Sequence, residues 1–142
     1  MNTEEIQEII ARLARLEQRG KDIITSFKVH LELHLPQVSV ESKSSSLRLT
    51  FFGAVLLVRV ELAIGKLKGY IVSYWVRPEE SAAKEPGPKL EPIQAYTFDG
   101  IGNVYLGPAD GTEAELLEQA VPRYIGGLVE YLRDKKIGLF PE

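Results

Sequence analysis

No cysteine occurs in the 142 residues. That absence excludes disulfides, thiolate metal sites and cysteine nucleophiles together, and it suits a reducing compartment. Histidine is nearly as scarce: His30 and His34 are the only two, so general-base chemistry has few carriers. No long apolar run exists. The most hydrophobic stretch, Phe51 to Ile64, is broken by Gly53, Arg59 and Glu61, too short and too charged to span a bilayer. The start, Met1-Asn2-Thr3-Glu4-Glu5, lacks the basic and then apolar order of a secretion signal. The expectation is a cytoplasmic chain without a membrane partner.

What remains is an ordinary globular composition, 44% hydrophobic and 26% charged, of the length usual for one domain. We read residues 1–142 as a single α+β domain. The net charge is −3 but unevenly spread: residues 1–41 carry 5 basic and 7 acidic groups, residues 42–77 carry 6 and 1, and residues 78–142 carry 6 and 12. A basic middle lies between acidic flanks, which a folded chain can neutralise internally.

Ile6, Ile9, Ile10, Leu13 and Leu16 recur at spacings of three and four, which predicts an amphipathic helix. Thr3 is a plausible cap. Glu4, Glu5 and Glu8 sit where the helix dipole favours anions, and Arg12, Arg15, Arg19 and Lys21 where it favours cations. Gly20 is a candidate end or bend. The helical stripe is expected to pack on a sheet, with a dimer seam as the alternative. From Phe27 to Leu35 apolar and polar residues alternate strictly, which favours a strand over a continued helix.

A polar connector follows at Glu41 to Ser46. Three strands form a meander: Leu47 to Phe52, a turn at Gly53-Ala54, Val55 to Ile64, a turn at Gly65-Lys66, and Leu67 to Val76. Residues 77–92, rich in proline and charge, read as a flexible loop. Ile93 to Phe98 and Asn103 to Leu106 make a second hairpin. Thr112 and Glu115 have capping-box spacing ahead of a C-terminal helix, whose stripe runs from Leu116 to Leu132. Pro122 should kink or divide that helix, and Gly126-Gly127 should weaken it. The predicted fold is therefore a four- to five-stranded, mainly antiparallel sheet with the N- and C-terminal amphipathic helices packed on one face.

Motifs for chemistry are sparse. His30 and His34 could share a metal on a helix, but the preferred strand would part them by roughly 13 Å, so no metal site is assigned. Asp99-Gly100-Ile101-Gly102-Asn103 lacks the third glycine and the following helix of a nucleotide loop. Ser73 lies mid-strand without a base, and Glu79-Glu80 sit in the loop. No catalytic residue and no cofactor emerge, and the reading leans away from an enzyme.

The one notable constellation is on the strands. Lys66, Lys68, Tyr70 and Tyr74 fall on alternating positions, and Arg48 and Arg59 could join them on one face. Such a basic, aromatic face suits either a protein interface, where Tyr and Arg are enriched, or stacking of single-stranded nucleic acid. The leading expectation is a non-enzymatic protein-binding or assembly module, a homodimer. The alternatives are nucleic-acid binding, or a small ligand held between helix and sheet.

Overall fold

The computed structural model describes residues 1–77, 89–100, 104–109 and 114–135. Helix α1 (Thr3–His34) is followed by strands β1 (Ser39–Lys43), β2 (Ser46–Phe51), β3 (Ala54–Ala63), β4 (Lys68–Arg77), β5 (Lys89–Phe98), β6 (Tyr105–Pro108) and β7 (Glu115–Leu116), then helix α2 (Leu117–Asp134). The strands form one antiparallel sheet in sequence order. The fold is α+β with a helix at each end, as expected, but the sheet has seven strands, not four or five. The additional strands carry little sequence signal. β1, Ser-Val-Glu-Ser-Lys, is almost wholly exposed and shows no buried alternation, and β7 has two residues.

α1 is capped by Asn2, whose side chain accepts from the Glu5 N–H at 2.8 Å, so the cap lies one residue before Thr3. The helix runs unbroken through Gly20 and on to His34. The strand expected at 27–35 is helix. Phe27 and Leu31 are buried, four apart, while Val29 and Leu33 are exposed, which is a helical and not an alternating pattern. Ion pairs Glu17–Lys21 and Lys28–Glu32 run along its outer side. Gly20 neither ends nor bends the helix. A Cβ there would come within 2.5 Å of Val60 and 3.2 Å of Phe98, so glycine lets α1 lie directly on the sheet.

The turn between β2 and β3 falls at Phe52-Gly53, with φ of 47° and 95°, the two positive angles of a mirror-image hairpin turn. That is one residue earlier than expected. A short 3-10 turn, Ile64–Lys66, joins β3 to β4. The register slips by one between Ser73 and Tyr74, where Ser73 faces Gln94 and Tyr74 faces Pro92. A bulge is where an inner strand tolerates proline. Of the loop read at 77–92, Arg77 and Lys89 onward are strand, and 78–88 lie outside the described residues. Thr112 also lies outside them. Glu115 is in β7, and α2 begins at Leu117 without a side-chain cap. α2 passes through Pro122 undivided.

Both helices cover one face of the sheet. Their core joins Leu16, Ile23, Ile24, Phe27 and Leu31 of α1, Leu47, Leu49, Leu56, Val58 and Ile71 of the sheet, and Tyr124, Ile125 and Leu128 of α2. Burying a side chain such as Phe27 contributes roughly 1.5–3 kcal/mol. At the centre the Tyr124 hydroxyl bonds Ser73 and lies 3.3 Å from the Ile71 carbonyl oxygen. Phe27 and Tyr96 pack on its ring at 5.1 and 4.7 Å between centroids. Gln94 donates to the Tyr124 carbonyl at 2.9 Å, and Gly127 makes room for it: a Cβ there would strike the Gln94 amide. Gly126, in contrast, faces open space. No helix among the described residues is long and apolar enough to cross a membrane.

Candidate functional site

Three regions carry exposed chemistry: the open sheet face, the first half of α1 with the cleft beside it, and a groove between the helices.

On the sheet, residues of even number in β2 and β4 and of odd number in β3 point away from the helices. Arg48, Arg59, Lys68, Tyr70 and Tyr74 therefore share the open face, among Leu57, Val72 and Ala95. Lys66 does not join them, because it lies in the 3-10 turn. The face is less basic than the cations alone suggest. Arg59 lies 3.3 Å from Glu61 and 4.6 Å over the Tyr74 ring, while the Tyr74 hydroxyl donates to the same carboxylate at 2.7 Å. Burial, and then the hydrogen bond to Glu61, push the Tyr74 hydroxyl above its ordinary range. Arg48 stands directly across from Glu41 in the β1–β2 register. Two acids thus offset two of the three strand cations. The sequence could not place Glu41 there, because its segment read as a connector.

The first half of α1 is the least expected region. Ile6 is 43% exposed and Ile10 60%, although their spacing is that of core residues. Leu13 is only partly covered, and burial begins at Leu16. Charge is segregated along this segment: Glu4, Glu5 and Glu8 come first, then Arg12 and Arg15. Beside it Arg12, Arg15, Lys66 and Lys68 line a cleft of about 240 Å³, with Asp99 on its wall. Arg19 donates to the Asp99 carbonyl at 3.4 Å. Basic residues of α1 and of the β3–β4 turn thus border one cleft, at the end of the β3–β4 hairpin. Sequence reasoning missed this cluster because it depends on how α1 crosses the turn.

The groove, of about 690 Å³, runs between the last turns of α1 and the start of α2. Val29, Leu33, Val104, Leu116 and Val121 form its apolar lining, and Thr25, Ser26, His30, His34 and Glu118 its polar groups. Helical geometry brings the two imidazoles together, with ring centres 4.7 Å apart. Burial, and then the neighbouring His34, hold the His30 imidazolium below its ordinary range.

Ser73 is fully buried and bonded to Tyr124, whose hydroxyl burial pushes far up. Neither reaches solvent, so the pair is a core contact between sheet and α2. Glu79 and Glu80 lie outside the described residues, as do Ile101, Gly102 and Asn103. Compared with protein-family models, curated proteins and solved structures, the chain matches none, so its function has to be argued from its own side chains.

Proposed function

We propose that this protein is a non-enzymatic assembly module of the cytoplasm that pairs with a second copy of itself through the first half of α1. The observation that carries this reading is the uncovered stripe of Ile6 and Ile10 at core-like spacing. An apolar stripe on a stable helix calls for a cover.

Charge order argues for a like copy in antiparallel orientation. A two-fold pair centred on Ile9 and Ile10 sets Ile6 of one helix against Leu13 of the other. It also brings the acidic first turns of each copy over Arg12 and Arg15, and towards the cleft those arginines share with Lys66 and Lys68. A parallel pair would set acid against acid. Seven residues of helix span only about 10 Å, so the seam is short beside the roughly 1,200–2,000 Å² of standard interfaces. Association is therefore concentration-dependent and salt-sensitive.

The edges of the sheet are poor alternatives. β1 carries Glu41 and Lys43, its one apolar side chain, Val40, packs against the core, and charged edges discourage strand addition. The nucleic-acid reading draws less support from the open face, where Arg59 is engaged by Glu61 and Arg48 faces Glu41.

Native mass spectrometry and sedimentation velocity test the proposal. A mass of twice the chain, reduced to one by Ile10→Glu and weakened by salt, is the expected result. A monomer at every concentration up to the solubility limit sinks it. A chain carrying a small added mass, or an oligonucleotide, would replace it with a ligand-binding or nucleic-acid role.

A further inference from the structure

We infer that His30 and His34 form a two-imidazole clasp for one borderline divalent transition cation of the Zn²⁺, Cu²⁺ or Ni²⁺ kind. The inference stands on the continuation of α1 through residue 34. Residues four apart on a helix lie one turn apart on the same side, and here the two rings are neighbours, tilted by 46° with their centres 4.7 Å apart. An ion about 2.0–2.1 Å from one nitrogen of each ring, with the two bonds at roughly 90–110°, sets the ring centres about 4.5–5 Å apart. The observed spacing falls in that window without any change in the helix.

Imidazole nitrogen suits zinc, copper and nickel better than magnesium or calcium, which take oxygen. Both histidines line the wall of the 690 Å³ groove, so a held ion would face a concavity and not a flat surface. Among the described residues no third His, Asp or Glu gathers with them into a cluster that could hold a metal ion. Two protein ligands leave the remaining coordination positions to water or to an external donor entering the groove. The apolar wall of Val29, Leu33, Leu116 and Val121 favours a donor that carries an apolar body.

The chain's only two histidines make the test clean. Zinc chloride is titrated into the untagged full chain at neutral pH, while imidazole nitrogen and carbon resonances are followed by NMR and the stoichiometry by calorimetry. Both histidines should shift together and saturate at one ion per chain. His30→Gln and His34→Gln should each weaken binding at least about tenfold, equivalent to about 1.4 kcal/mol. His34 is exposed on the last turn, so its variant keeps the fold, and circular dichroism checks this. Absence of saturable binding overturns the inference. So does binding that survives both substitutions, or a stoichiometry of one ion per two chains.

Discussion

From Thr3 to Arg15, α1 shows Ile6 and Ile10 to solvent. From Leu16 to Leu31 the same helix hides Leu16, Ile23, Ile24, Phe27 and Leu31 almost completely. Both halves carry apolar residues at spacings of three and four, and no break separates them. What differs is the neighbour. The second half lies on the sheet, admitted by Gly20 against Val60 and Phe98, and is closed over by Tyr124 of α2. The first half runs past the β3–β4 turn, where among the described residues nothing covers Ile6 or Ile10. Periodicity reports that a helix has an apolar side, and it does not report what lies against that side.

Substitutions can break this contrast. The largest effect belongs to the covered half: Phe27→Ala should cost about 3–5 kcal/mol in urea unfolding, the range for truncating a buried aromatic ring. A loss below about 1 kcal/mol would mean that the second half is not the packed one. Gly20→Ala comes next. In an open helix the change gains about 1 kcal/mol, but here the added methyl meets Val60 and overpacking costs about 1–3 kcal/mol, so the variant should be no more stable than the parent, or less. Gly126→Ala, facing open space in α2, is the matched control and should stabilise by about 0.5–1 kcal/mol. If the two alanines behave alike, α1 does not press on the sheet at residue 20. The smallest effect is expected at Ile10→Ser. Measured on dilute monomer, its unfolding free energy should stay within about 0.5 kcal/mol of the parent, whereas dimer formation at high concentration should be lost. A large stability loss in the monomer would return Ile10 to the core.

Much of the fold was legible in residue pattern. The opening helix, the three-strand meander and the closing helix each stand close to where periodicity and turn residues put them. The errors have physical causes. Phe27 to Leu35 alternates as a strand does, yet extending a helix already nucleated needs only one more hydrogen bond per residue, and Val29 and Leu33 tolerate exposure beside the groove. β1 was invisible because an edge strand of Ser, Glu and Lys buries little. For the site, five of the six residues assigned to a common face do share it: Arg48, Arg59, Lys68, Tyr70 and Tyr74. Lys66 falls on the turn. The face's internal neutralisation by Glu41 and Glu61 depends on register, which no local pattern encodes. A strand would part His30 and His34, and only the continued helix makes their rings neighbours.

The strictly sequential order of the sheet bears on how the chain reaches this state. From β1 to β7, each strand pairs with the one before it, so no segment has to thread past another. Five of the six connections between successive strands are six residues or shorter, and closing loops of that length sacrifices little chain entropy. The costly encounters are those between the first helix and the later strands, and between the two helices at opposite ends of the sequence. Local pairings of this kind favour rapid zipping, which leaves the docking of α1 and α2 as the natural site of the folding barrier.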